Sequence, residues 1–415
     1  MISLNYKYLM FFSKGNEKNF KLVNFLISTI SFGVLHTSLI CCVLVQYFKD
    51  SGMLPLQISI IMVSKRVLRL FCDGFFGLMF DRFGAKVVFF IGRLLKLISY
   101  LILLNFSNFY GFVIAMLLDG ASYSSIYGKI NSFIYNNLSI RGKLFFFQKA
   151  VSMYYLCINI TISMMTFFAG ILLKYYGYNI IIYISIFTNI FSIFILIKYV
   201  PSYKDEMQTF RSKSIKNIFL SLRDSFVKNK QFSHLICFYA VMSFMAWQFH
   251  GISSLVLLDM GFTSVNLAMC GSLLKLTMAI GAIVSIVFFS KGLKLEKCAI
   301  FLLCIICFGL ISSAIYNPYV FYVFCLFIAI AYTTIEVSIE KNFEYYSDKT
   351  IRGTSISLAM TICSIFAMVS HLFVGLIAQY FNYKLGIIIL LTMLFFVVFY
   401  LTIKFHKIDY IKSNA

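Results

Sequence analysis

The chain has 415 residues, of which 61% are apolar and only 12% charged, and its mean hydropathy is +0.89. A soluble globule of that composition could not cover its apolar surface, and 48 Phe with 27 Tyr exclude a disordered chain. The formal net charge of +21 does not call for a nucleic acid either, because Lys and Arg sit mostly in short gaps between apolar runs, where membrane proteins carry their orientation signals.

In chain order, Lys7, Lys14, Lys18 and Lys21 lead into an uncharged stretch of 27 residues, Leu22–Phe48. That stretch is too long for the apolar core of a cleavable signal. A hydrocarbon layer about 30 Å thick takes roughly 20 apolar residues per helix. The rule predicts spans at 22–47, 54–80, 86–104, 108–135, 147–173 and 178–198, then at 232–258, 262–289, 297–316, 318–341, 352–379 and 382–404. Long continuous runs exclude membrane strands, which alternate over about ten residues. The expected fold class is an all-α polytopic membrane protein, with twelve transmembrane helices in two six-helix bundles around a central cavity.

The polar interval 199–231 separates the two sets of six, so the expected domains are a bundle over 1–198, a basic linker over 199–231 and a second bundle over 232–415. Counted by side, 25 Lys and Arg of loops, termini and span ends share the side of the N-terminus, against Lys49, Lys174 and Lys384 on the other. This bias places both termini and the linker in the cytoplasm, in the cell (inner) membrane. The eleven cysteines fall almost entirely inside apolar runs and read as small apolar residues rather than a disulfide framework. The halves also resemble each other: Arg141-Gly142 and Arg352-Gly353 open corresponding spans, and Gly170–Tyr178 and Gly375–Tyr383 close them. Repeated halves around a midplane site are the build of secondary transporters.

Between the second and third spans stands Gly77-Leu-Met-Phe-Asp81-Arg82-Phe-Gly84-Ala-Lys86. This segment resembles the loop signature of the major facilitator superfamily, and with six-plus-six spans and a basic middle the resemblance covers the whole chain. It implies that Gly77 permits close helix approach, that Gly84 makes a tight turn, and that Asp81, Arg82 and Lys86 latch the halves, with Arg141 and Arg352 as further gating residues. The second copy, Ser290-Lys291-Gly292-Leu-Lys294, lacks the acid. The family's drug antiporters carry a Gly-Pro pair in the fifth helix, yet 147–173 has no proline, and Met116 stands where proton-coupled members place an Arg.

Charges inside apolar runs need a partner or a water-filled cavity. The span 54–80 carries Lys65, Arg66, Arg69 and Asp73, and Arg69 and Asp73 are one turn apart, placed to neutralise each other. Lys65 and Arg66 are left over. Arg93 and Lys96 are expected to pair with Asp119, while Lys129 and Lys149 reach toward the cytoplasmic ends. Lys275 offers a cation from the second half. The span 147–173 carries a polar stripe including Ser152, Asn159, Ser163 and Thr166; Trp247, His250 and His371 lie on similar stripes. Glu336, Asp73 and Asp119 are the candidate coupling carboxylates.

The expected substrate-binding set is therefore Lys65, Arg66, Asn159, Trp247, Lys275 and His371, with Arg69, Asp73, Asp119 and Glu336 for coupling or ion pairs. The expected function is secondary active transport of a small solute by alternating access, favouring an organic anion or zwitterion. Proton-antiport efflux of drugs is the alternative, and a transport-inactive sensor or assembly factor is the rival from another class. No cofactor or catalytic residue is expected, for no HExxH, nucleotide loop or nucleophile elbow is present. The expected partners are lipid, the solute, and protons or a counter-substrate; nucleic acid is not among them, and a monomer is expected.

Overall fold

The computed structural model describes residues 37–40, 43–126, 129–130, 133–134, 147–199, 256–257, 259–289, 295–315, 317–346 and 352–413. These form no strand. The helices are α1 (Leu44–Asp50), α2 (Pro55–Phe83), α3 (Ala85–Asn105), α4 (Phe109–Ile126), α5 (Phe147–Tyr199), α6 (Ser264–Phe289), α7 (Leu295–Ile315), α8 (Pro318–Tyr346), α9 (Arg352–Tyr380) and α10 (Tyr383–Ser413). Their limits follow the predicted spans closely, except that the range of α4 ends at Ile126, before 135, and α8 and α10 run on past 341 and 404. Most of 22–47 and 232–258, and the linker from residue 200 onward, lie outside the described residues.

Local chemistry sets the helix ends. Pro55 occupies the first turn of α2, and Gln57 Oε1 accepts the Leu54 N–H at 2.9 Å, so a proline and a returning side chain start the helix together. Asn108 and Asn382 accept N–H groups of Gly111 and Leu385, both at 2.8 Å, and Asn317 caps α8 through Tyr319 at 3.0 Å. Gly84, at φ +80°, turns α2 into α3. At 53 residues α5 would be about 80 Å long if straight; Gly177, at φ +76°, breaks it into two crossings.

Tyr178 donates to Asp50, and the Tyr47 and Ser107 hydroxyls lie 3.0 Å apart, so the turns at 51–54, 106–108 and 177 share one face of the bundle. Within the first half α4 packs on α2 and α3; within the second, α8 packs on α6, and α7 on α10. The second half closes around one apolar cluster including Leu274, Ile306, Phe321, Phe324 and Ile328. The outer surface is studded with exposed rings such as Phe71, Phe187 and Phe396, the arrangement lipid requires. Five described segments, Ala85–Asn105, Phe109–Ile126, Ala150–Lys198, Val265–Val284 and Tyr383–Tyr400, are long and apolar enough to cross a bilayer.

The two halves are copies at the level of individual residues. An offset of 209 takes Asp50 to Asp259, Gly52 to Gly261, Ser59 to Ala268 and Asn108 to Asn317. Gly52 and Gly261 share positive φ, +82° and +92°. Met53 and Phe262 each bond the carbonyl five residues back, at 3.1 and 2.9 Å, so the chain turns in one and the same way after α1 and before α6. In the last third the offset is 205, taking Gly170 to Gly375 and Tyr178 to Tyr383.

Candidate substrate site and buried ion-pair network

The halves meet where α5 packs on α6 and α2 on α9. A Cβ on Gly170 of α5 would strike Ala268 of α6, and a Cβ on Gly375 of α9 would strike Ser59 of α2. These are the same contact in the two repeats. One to two turns deeper, Ser163 Oγ bonds the Ser272 carbonyl at 2.8 Å and lies 3.0 Å from its hydroxyl. On the other seam Arg66 Nη2 is 3.3 Å from His371 Nε2, joining α2 to α9.

Arg66 maps onto Lys275 by the 209-residue offset, so the two cations occupy equivalent positions on equivalent helices. Lys275 is half-buried, its Nζ 3.4 Å from Met278 Sδ. Asn159, buried on α5, lies one turn beyond Ser163, and Lys275 one turn beyond Ser272 on the antiparallel α6. The structure thus brings Arg66 to His371, and sets Asn159 and Lys275 along one helix pair.

The remaining charges of the first half form two clusters. Asp119 of α4 is held by Lys65 of α2, Nζ to Oδ2 2.8 Å, and by Lys96 of α3 on its other oxygen. Lys65 is therefore not left over, as the span alone suggested. Asp73 receives Arg69 from its own helix at 3.4 Å and Lys129 at 3.7 Å, and Lys129 also bonds the Asp73 carbonyl at 3.1 Å. Lys129 is buried rather than reaching for the membrane edge, because the carboxylate gives its charge a partner. Tyr123, absent from the sequence-based set, lies under both Lys65 and Arg69, at 5.5 and 4.8 Å from its ring centre. Its signal was its place one turn after Asp119.

A Cβ on Gly77 would meet no described atom within 4 Å. Among the described residues α4 approaches α2 closely at Gly120, where a Cβ would collide with the Lys65 carbonyl. Gly84 makes the turn and Lys86 is half-buried at the start of α3. Asp81 and Arg82 lie on α2, Glu336 on α8 and Arg352 on α9, with side chains outside the described residues; Trp247 and Arg141 lie wholly outside them. No group of three His, Cys, Asp or Glu placed to hold a metal occurs among the described residues.

Repeated helical bundles, apolar crossings and cations at the seam between halves define a multi-pass membrane protein of the two-bundle transporter type. The chain belongs to the Major Facilitator Superfamily, whose sequence model matches residues 22–347. That fold implies twelve helices in two six-helix bundles around a central cavity; eleven are present among the described residues, α5 counting as two. No curated protein matches in sequence. Among solved structures, a variant of the nucleoside transporter NupG is similar at TM-score 0.72 and 15% identity, covering 93% of this chain and 99% of that one. The human organic anion transporter MFSD10 (TETRAN) is similar at 0.71 and 13%, covering 93% and 100%. A bacterial homologue of the human lysosomal transporter Spinster, inward-facing and unoccupied, is similar at 0.73 and 13%, covering 95% and 99%.

Proposed function

We propose that the protein is a secondary transporter that carries a small organic anion or zwitterion by alternating access. One observation carries the reading: the membrane segments of the first half hold Lys65, Arg66, Arg69, Arg93, Lys96 and Lys129 against only Asp73 and Asp119. Excess positive charge at membrane depth is costly, and a cavity that receives an anion offsets it. Arg66 and Lys275, equivalent in the two repeats, hold the substrate's negative group from opposite halves and release it as the halves separate. His371 and Asn159 border the same site. A nucleoside transporter and an organic anion transporter on this fold support small-solute transport as the class.

In this reading 1–198 and 232–415 are the moving bodies and 199–231 the cytoplasmic linker, with both termini cytoplasmic and the protein a monomer. The decisive measurement is uptake or counterflow of labelled organic anions in sealed vesicles. Arg66→Gln and Lys275→Gln should each raise the half-saturation concentration about ten-fold or more, with normal membrane expression. Parent-like transport of an identified anion by both variants overturns the site. Movement of apolar cations driven by a proton gradient overturns the substrate class in favour of drug efflux.

A further inference from the structure

The Lys65–Asp119–Lys96 cluster has a counterpart that shows what the fold needs at these positions. The 209-residue offset matches the burial pattern of α2 to α6 and of α4 to α8, setting Lys65 on Leu274 and Asp119 on Ile328. Helices α3 and α7, each 21 residues long, correspond at an offset of 210, which sets Lys96 on Ile306. Leu274, Ile306 and Ile328 all belong to the apolar core of the second half. The equivalent positions are therefore three aliphatic side chains of one apolar cluster in one half, and two ammonium groups and a carboxylate in the other. Aliphatic packing is commonly as stable as a buried ion cluster or more so, so the charges serve something other than closure.

Their exposures differ in a way that assigns the roles. The side chains of Asp119 and Lys96 are 5% and 7% exposed, and that of Lys65 is 24% exposed. In the second cluster Arg69, Asp73 and Lys129 are all at 8% or below. Lys65 is thus the one open cation of the two clusters. Its backbone is pinned, because its carbonyl lies against Gly120, while its ammonium end rests between Asp119 and the Tyr123 ring. It also precedes Arg66, which faces the seam with α9.

We propose that Lys65 is an exchangeable substrate cation: it leaves Asp119 for the carboxylate or phosphate group of the incoming solute, while Lys96 stays behind to keep Asp119 neutralised. The proposal rests on the anion-transport reading. A carboxylate with one cation would be stranded in the membrane by such an exchange, which is costly; a carboxylate with two is not. Asp119 accordingly competes with the substrate for Lys65 and sets its affinity.

The test uses the full-length protein in detergent, with thermal stabilisation titrated by succinate, aspartate and phosphoenolpyruvate, which separate carboxylate from phosphate recognition. Lys65→Leu with Lys96→Ile and Asp119→Ile copies the second half; it should melt at or above the parent's temperature and bind the anion at least ten-fold more weakly. Asp119→Asn with Lys96→Met removes the competitor and its buried partner while keeping Lys65, and should bind several-fold more tightly. A merely structural cluster predicts neither change. Parent-like affinity in both variants overturns the exchange and leaves the anion reading standing; failure of the triple variant to fold shows that the charges are needed for closure and overturns the exchange as well. A parent stabilised by none of the three anions overturns the anion reading and the exchange together.

Discussion

Asp73 faces Arg69 and Lys129, so removing the acid leaves two buried cations facing each other, whereas removing Arg69 leaves the acid with Lys129. Asp73→Leu should therefore cost the larger amount, on the order of 3–5 kcal/mol, and Arg69→Met clearly less. Thermal unfolding of the purified variants checks the order; a larger loss for Arg69→Met contradicts it. The Arg69–Asp73 pair was legible from its spacing of one helical turn. Lys129 was not, because its partner lies 56 residues away and local periodicity says nothing about which helix packs across. The close packing of α2 on α4 at Gly120 was unreadable for the same reason, because a glycine in a helix does not name the helix it meets.

Span limits read from apolar runs lie near the observed helix ends because Pro55, Asn108, Gly177, Asn317 and Asn382 act on their own backbone neighbours there. How helices pair was less readable, because a polar stripe such as that of α5 has no partner written into it. Ser163 proves to meet Ser272 of α6, hydroxyl to hydroxyl at 3.0 Å. A Ser163→Cys, Ser272→Cys variant should cross-link under mild oxidation and lose transport, and a reductant should restore it; full transport by the cross-linked protein would show that α5 and α6 need not separate there. At the α2–α4 crossing the obstacle to a larger residue is backbone, the Lys65 carbonyl, which cannot turn aside as a side chain can. Gly120→Val should abolish folded expression, measured by monodisperse yield in detergent.

Across the whole molecule the repeat was visible in sequence through Arg141-Gly142 and Arg352-Gly353, and through Gly170–Tyr178 and Gly375–Tyr383. Its precision emerges from matched turns and burial, which substitution at exposed positions had hidden. Each half also carries a tyrosine beside an acid on the same face: Tyr178 donates to Asp50, and Tyr383 lies within electrostatic reach of Asp259. Yet the copies have diverged in their interiors, charged in one half and aliphatic in the other. That divergence bears on how the chain is made. With Lys65, Arg66, Arg69 and Asp73 along its length, α2 is not among the described segments apolar enough to cross a bilayer unaided, each charge near a helix centre costing about 2.5–3.5 kcal/mol on insertion. Its carboxylate partner at Lys65 arrives only with α4, some fifty residues later in synthesis. Nascent chains halted after α2 should leave that helix outside the hydrocarbon, and chains halted after α4 should show it inserted, as read by glycosylation at an acceptor placed in the 51–54 turn. The ribosome and translocon must therefore hold the first half open as a group of helices, whereas α6, with Lys275 alone, can enter the lipid as soon as it is made.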